Sequence, residues 1–118
     1  MKRYKTSIPY AFSRATEANG FLFLSGQLPL NARGEPVYTS IEDQTRLVMQ
    51  NISDTLLYCG SSIERVVKAT VWISDMSHFD DFNKVYSSFF KNGFPSRSTV
   101  VSKLAFGLDI EIEVQALA

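Results

Sequence analysis

Cysteine and histidine are each represented once in this chain, and that scarcity excludes several kinds of site. Cys59 is the only cysteine among 118 residues, so no intramolecular disulfide can form, and a reducing, cytoplasmic compartment is expected. The single histidine, His78, has no second histidine or cysteine near it in sequence, so no metal site is predicted. We interpret Cys59 as a small core residue and His78 as a polar residue in the first turn of a helix.

The chain also lacks an excess of either charge, with twelve Lys and Arg residues against twelve Asp and Glu residues. Nucleic-acid binding usually requires a basic stripe or patch, so neither nucleic acid nor an anionic membrane surface is expected as the main partner. The apolar run at 21–24 is far too short to span a bilayer. The basic N-terminus lacks the apolar stretch of a signal peptide.

What is present is the composition of one soluble globular domain covering residues 1–118, with 45% hydrophobic and 20% charged residues. The apolar spacing predicts an α+β, two-layer sandwich in which two helices lie on one face of a mixed, six-stranded sheet. The predicted elements are a β-hairpin turning at Asn19-Gly20, a short edge strand at 35–39, a first helix capped by Thr39 or Ser40 and stopped by Gly60, a strand at 66–73, a second helix from Ser77 to Asn92-Gly93, and strands at 98–103 and 109–117.

The face of this sheet that carries no helix should still hold Val, Leu and Phe side chains. A small soluble protein rarely leaves a large apolar patch in water. We therefore predict homo-oligomerisation through this face, which makes the clefts between subunits candidate binding sites.

The candidate chemistry lies in the last quarter of the chain. Arg97 follows the rigid segment 94–96 and enters an apolar strand that is predicted to be largely buried. In the final strand Glu111 and Glu113 alternate with apolar residues and so share one face. A buried guanidinium needs a partner, which is either one of these glutamates or a ligand such as a small carboxylate. Glu111 has a structural alternative of its own, an exposed ion pair with Lys103.

Several segments, taken in order, resemble the YjgF/RidA family, the reactive-intermediate deaminases, also labelled L-PSP endoribonucleases. The matching segments are IPY at 8–10, LSGQLP at 24–29, residues 44–51, VVKATVWISDM at 66–76, FNKVY at 82–86, FPSRSTV at 94–100 and IEIE at 110–113. Their joint order and spacing make the resemblance specific. It implies a chorismate-mutase-like fold and a homotrimer with a central barrel and three equivalent clefts between subunits.

The resemblance also implies an activity, the cofactor-free hydrolysis of 2-enamine and 2-imine acids to 2-keto acids and ammonia, with 2-aminoacrylate and 2-iminobutyrate as typical substrates. Arg97 would clamp the substrate carboxylate, and the backbone around Gly26 and Thr99 would complete the cradle. Glu111 would orient the attacking water and help to move protons to the departing nitrogen. The remaining residues expected at the cleft are Tyr10 from a neighbouring subunit, Ser25 and Asn83.

Two other functions stay open at this point. One is a non-catalytic trimeric binder or regulator that responds to small keto or amino acids, because Arg97 alone would serve carboxylate binding. The other is an endoribonuclease or translation inhibitor, against which the balanced charge weighs. The chain departs from the family pattern at Thr99, where cysteine is common, at Ala105, where proline is usual, and in a longer segment between Tyr10 and Ser25. The physiological substrate is therefore not fixed by the sequence.

Overall fold

A mixed sheet carries two helices on one of its faces in the computed structural model, which describes all 118 residues. The strands are β1 (Lys2–Tyr4), β2 (Ala15–Ala18), β3 (Phe21–Leu24), β4 (Val66–Ile73), β5 (Ser96–Val101) and β6 (Ile110–Leu117), and the helices are α1 (Ile41–Tyr58) and α2 (Phe79–Ser88). The strand order is β1-β2-β3-β6-β4-β5, and only the β4–β5 pair is parallel. The predicted α+β, two-layer architecture is confirmed.

Local signals define both ends of α1. Of the two predicted capping residues, Ser40 rather than Thr39 caps the helix, because its hydroxyl accepts a hydrogen bond from the Asp43 N–H at 3.1 Å. At the other end Gly60 adopts a positive φ of 82°, a conformation that glycine reaches at little cost. Its N–H donates to the Leu57 carbonyl at 3.0 Å, which ends the helix where the sequence predicts.

The core lies between the helices and the sheet. The alternation in β6 is confirmed, since Ile110, Ile112, Val114 and Ala116 are at most 1% exposed while Glu111 and Glu113 project from the opposite face. Leu57 of α1 is 62% exposed, because it lies on the side of the helix turned away from the sheet. The largest fully buried side chains are Phe82, Leu22, Met49, Ile52, Leu56, Ile73, Leu108, Ile110 and Ile112.

The predicted edge strand at 35–39 is wrong, and the sixth strand is β1 instead. Only an isolated bridge joins Pro36 to Leu30 in that region. Proline has no N–H to donate to a ladder. The side chain of Asn31 also holds a local turn by accepting hydrogen bonds from the backbone N–H groups of Arg33 and Glu35. The prediction therefore counted the strands correctly but placed one of them in the wrong segment.

The second helix is shorter than predicted. A 3₁₀ turn at Met76–His78 precedes it, and α2 itself ends at Ser88, four positions before Asn92. Asp75 caps the 3₁₀ turn by accepting a hydrogen bond from the Ser77 N–H at 2.8 Å. The apolar stripe of α2 continues past its end at Ser88 into Phe89 and Phe90, which also pack against the core.

Strand β5 begins two residues earlier than predicted, so Arg97 lies inside the strand rather than at its entrance. The strand was expected to be largely buried, and this is wrong. It is an edge strand that pairs only with β4, so Val100 and Val101 are 43% and 49% exposed.

The sheet face without helices carries the predicted apolar surface. Phe21 and Phe23 alternate with buried leucines and are 39% and 43% exposed, and Val100 and Leu117 add to the same face. Neither helix is both long and apolar enough to cross a bilayer.

Candidate functional site

The residues predicted for the site, apart from Thr99, line two separate cavities of the chain. A cavity of about 620 Å³ is lined by Tyr10, Ser25, Gly26 and Glu111 among others, and we call it the Glu111 pocket. A second cavity of about 390 Å³, which we call the Arg97 pocket, is lined by Asn83, Tyr86, Ser87, Phe94, Pro95 and Arg97. Thr99, which was predicted to contribute backbone to the cradle, lines neither cavity.

The position of Arg97 follows from the parallel pairing of β5 with β4. Arg97 lies beside Ala69, which is buried under the helices, so the arginine side chain extends along the helical face of the sheet. There its Nη1 donates a hydrogen bond to Asn83 Oδ1 of α2 at 2.7 Å. The guanidinium carbon lies 5.3 Å and 5.0 Å from the ring centroids of Phe82 and Tyr86, within the range of cation–π attraction.

Arg97 forms no ion pair, so the structural alternative predicted for it is wrong. The ion pairs of the chain join other side chains: Arg33 with Glu35, Arg46 with Asp43, and His78 with Asp109. Arg97 is half-buried, and one of the five N–H donors of its guanidinium forms a hydrogen bond with Asn83. Its charge and most of its donors are therefore available to a ligand.

The hydroxyl of Tyr86 is the only buried side-chain polar atom without a hydrogen-bond partner in the chain. Burial raises the pKa of this phenol, and the nearby Arg97 charge opposes that rise. The hydroxyl is therefore neutral at physiological pH. Tyr86 lies three positions after Asn83 and four after Phe82 on α2, and all three side chains are in contact range of the Arg97 guanidinium.

Glu111 is half-buried on β6 beside Trp72 of β4, on the face opposite the helices. Its carboxylate has neither a hydrogen bond nor an ion pair within the chain, so the predicted pairing with Lys103 is not formed. Burial raises the pKa of Glu111, and the negative charge of Glu113 raises it further. A carboxylate with a raised pKa is a better proton acceptor once it is ionised.

The absence of a side chain at Gly26 allows the Glu111 carboxylate to lie close to the backbone of the loop after β3. A Cβ at this position would overlap Glu111 Oε2 and lie 3.2 Å from its Cδ. Two backbone hydrogen bonds between Gln27 and Ile112, of 2.8 and 3.1 Å, hold the loop after β3 against β6. The missing side chain therefore lets the Glu111 carboxylate lie directly on the backbone.

The other predicted residues are placed as follows. Tyr10 is 60% exposed in the segment between β1 and β2, at the rim of the Glu111 pocket. The Ser25 hydroxyl donates to the Ser13 carbonyl at 2.6 Å, so it is already engaged in holding this segment. Thr99 lies two residues after Arg97 on the same face of β5. Sequence reasoning missed further lining residues of the Glu111 pocket, namely Phe12, Asn51, Asp54, Thr55 and Phe106.

His78 belongs to a structural network away from both pockets. Its Nε2 lies 3.7 Å from Asp109 Oδ1, and Asp109 also accepts hydrogen bonds from the Ser74 hydroxyl at 2.6 Å and the Gln44 amide at 3.1 Å. These contacts join the first turns of α1 to the end of β4 and the start of β6. No three His, Cys, Asp or Glu side chains lie close enough together to hold a metal ion.

Comparison with known sequences gives one family for nearly the whole chain. Residues 5–118 match the family described as Endoribonuclease L-PSP. Protein HMF1 of Saccharomyces cerevisiae is 40% identical over 107 residues, which are 90% of this chain and 83% of HMF1.

Solved structures share the fold over the full length. RidA from the Antarctic bacterium Psychrobacter sp. PAMC 21119 has a TM-score of 0.92 at 25% identity, with all of both chains covered. TdcF from E. coli, whose crystal structure contains bound serine, has a TM-score of 0.92 at 27% identity, covering 100% of this chain and 99% of TdcF.

Proposed function

The chain belongs to the Endoribonuclease L-PSP family, which is the YjgF/RidA family, and we propose that it hydrolyses 2-enamine and 2-imine acids to 2-keto acids and ammonia. The observation that carries the proposal is the Arg97 guanidinium, which is half-buried, faces a cavity and has no carboxylate partner in the subunit. Its planar array of donors matches a carboxylate in a bidentate manner. The serine bound to TdcF is a small molecule that carries such a carboxylate, which supports the same ligand class here.

We propose further that the working unit is a homotrimer in which the Arg97 pocket of one subunit meets the Glu111 pocket of the next. Arg97 and Glu111 of one subunit project from opposite faces of the sheet, so a small substrate cannot touch both. A cyclic assembly brings two different surfaces together at every interface, which would join the two half-sites. The exposed Phe21 and Phe23 on the helix-free face support an assembly that covers this face.

The proposed mechanism needs positioning and proton transfer. Arg97 holds the carboxylate of the imine tautomer. Glu111 accepts a proton from water while the water oxygen attacks C2 and the C=N electron pair moves to nitrogen; Glu111 then passes this proton to the nitrogen, giving a carbinolamine. In the second step Glu111 transfers the proton of the carbinolamine hydroxyl to the nitrogen, the C2–N bond breaks, ammonia leaves and the C2–O bond becomes a carbonyl. One water is consumed, nothing is oxidised or reduced, and no cofactor is required.

The other residues of the cleft hold the substrate and the Glu111 carboxylate in position. The backbone around Gly26 and Thr99 completes the cradle for the substrate, and the close contact of Gly26 with Glu111 holds the carboxylate in place. Tyr10 of a neighbouring subunit covers the cleft, and Ser25 lines it through a hydroxyl already oriented by Ser13. A cytoplasmic location stays a prediction from the single cysteine.

The test couples threonine dehydratase, which releases 2-iminobutyrate, to the measurement of 2-ketobutyrate and ammonia. Arg97→Ala should lower kcat/KM by about a hundredfold or more, because two charge-assisted hydrogen bonds are lost. The matched control Arg33→Ala removes an exposed arginine that pairs only with Glu35, and it should leave the rate unchanged. Near wild-type rates for Arg97→Ala would overturn the assignment of the clamp.

The same proteins separate the two alternative functions. If wild-type protein binds 2-ketobutyrate but does not accelerate imine hydrolysis, the chain is a non-catalytic binder. RNA cleavage that persists in metal-free buffer and disappears in Arg97→Ala would favour the endoribonuclease named in the family description.

A further inference from the structure

We propose that Asn83 is a positioning residue that holds Arg97 in the direction of the ligand while leaving its charge uncompensated. The proposal rests on the proposed role of Arg97 as the carboxylate clamp. It adds a reason for an amide, rather than a carboxylate, at position 83. It also predicts that an isosteric change at this position is more damaging than a truncation.

Four side chains, those of Asn83, Phe79, Phe82 and Tyr86, form a support that fixes the position of the Arg97 guanidinium. Asn83 lies within α2, and its Oδ1 accepts the 2.7 Å hydrogen bond from Arg97 Nη1, which is the one hydrogen bond made by the arginine side chain. The rings of Phe79, Phe82 and Tyr86 have their centroids 5.7, 5.3 and 5.0 Å from the guanidinium carbon. One polar contact and three rings therefore restrict a long side chain before any ligand arrives, which reduces the entropy lost on binding.

Each group in this support is uncharged. The amide is neutral, the two phenylalanine rings carry only a quadrupole, and the raised pKa of Tyr86 keeps its hydroxyl protonated. The two acidic residues of α2, Asp80 and Asp81, are exposed and form no ion pair with Arg97. The positive charge of Arg97 is therefore not neutralised within the chain and attracts an incoming anion. A neighbouring carboxylate would pair with the guanidinium and weaken this attraction.

A purely structural role for Asn83 predicts the opposite order of effects. Aspartate has nearly the same shape as asparagine, and its carboxylate accepts the same hydrogen bond more strongly. If Asn83 only holds α2 and β5 together, Asn83→Asp should behave like the wild type and Asn83→Ala should be the damaged variant. If the neutrality of the support matters, Asn83→Asp should be worse than Asn83→Ala.

The experiment compares Asn83→Asp, Asn83→Ala and the control Lys84→Gln. Lys84 is exposed on the same helix, and its replacement lowers the net charge by the same amount as Asn83→Asp. The readouts are the Kd of 2-ketobutyrate by titration calorimetry, and kcat and KM for 2-iminobutyrate. Oligomeric state and thermal unfolding are measured on every variant.

We expect Asn83→Asp to raise Kd and KM by about thirtyfold or more, since the ligand must displace a close charge pair. Asn83→Ala should raise them by about three- to tenfold through loss of one oriented hydrogen bond. Lys84→Gln should change them by less than about twofold, because an exposed charge is screened. In both Asn83 variants KM should change more than kcat, and Asn83→Asp should be at least as stable to heat as the wild type.

Weaker binding by Asn83→Ala than by Asn83→Asp would overturn the proposal, as would wild-type binding or a loss of folding in Asn83→Asp. These results leave the proposed function standing as long as the wild-type protein binds 2-ketobutyrate and hydrolyses 2-iminobutyrate. If the wild type does neither, the proposed function fails, and the role of Asn83 fails with it.

Discussion

Arg97 and Glu111 lie on strands that flank β4, beside Ala69 and Trp72 respectively. These two β4 residues are three positions apart, and an odd separation sends side chains to opposite faces of a sheet. Two strand spacings and three residues of rise put the α-carbons of Arg97 and Glu111 roughly 14 Å apart. A three- or four-carbon acid cannot reach both side chains in one subunit, so the proposed reaction requires two subunits.

Subunit mixing tests this requirement. Arg97→Ala and Glu111→Ala proteins should each be inactive, but trimers reassembled from equal amounts of both should recover activity. With random mixing, about one quarter of the interfaces pair an intact Arg97 with an intact Glu111, so about one quarter of the wild-type rate is expected. Reassembly of either variant with itself is the control. A mixture that stays as inactive as its components would place both residues in the same subunit's site.

Gly26→Ala should damage activity more than stability. The added Cβ collides with the flexible end of Glu111, which can move aside at little cost to folding but then leaves its place. We expect kcat/KM to fall about tenfold or more, while the free energy of unfolding changes by less than about 1 kcal/mol.

The matched control is Gly20→Ala, which should show the reverse pattern. Gly20 has a φ of 81°, and no neighbouring atom lies within 4 Å of the position that an alanine Cβ would occupy. The substitution therefore causes no collision, but it strains the backbone in the left-handed region. It should cost about 1–2 kcal/mol of stability and leave kcat/KM unchanged. Urea unfolding and the coupled assay measure both quantities, and a Gly26→Ala protein with full activity would contradict the role of the contact.

The raised pKa of Glu111 predicts an acidic limb in the rate profile. If the ionised carboxylate accepts the proton from water, kcat/KM should fall as pH drops through the Glu111 pKa, at a pH above the ordinary glutamate value of 4.5. Glu111→Gln should remove most of the activity together with this limb. A wild-type profile that is flat down to pH 4.5 would rule out Glu111 as the base.

The free energy of unfolding should also depend on the Glu111 titration, but in the opposite direction from the rate: it should fall as pH rises. Because the pKa of Glu111 is higher in the folded state, the folded protein binds this proton more readily than the unfolded chain. The Glu111 contribution to the free energy of unfolding is therefore largest below 4.5 and declines as pH rises through the folded-state pKa. Glu111→Gln should lack this decline, and urea unfolding of both proteins across that pH range measures the difference.

The local elements could be predicted from the sequence because their signals act over a few residues. Asn19 and Gly20 both adopt positive φ, as a tight hairpin turn demands, and Ser40 and Gly60 bound α1. The wrong predictions concern strand pairing between segments that are distant in sequence. Nothing local in Lys2–Tyr4 indicates that it pairs with β2, and nothing in β5 indicates that it forms the edge of the sheet.

For the site, the sequence predicted the family, which the match over residues 5–118 confirms, and it singled out Arg97 and Glu111 as the residues proposed to carry the chemistry. Only the tertiary structure decided that Arg97 is held by the neutral Asn83 and that Glu111 projects from the face of the sheet opposite to Arg97. The physical reason is register. Side-chain alternation within a strand is a local property, but the relation between two strands depends on which backbone groups pair, here Ala69 with Arg97 and Trp72 with Glu111.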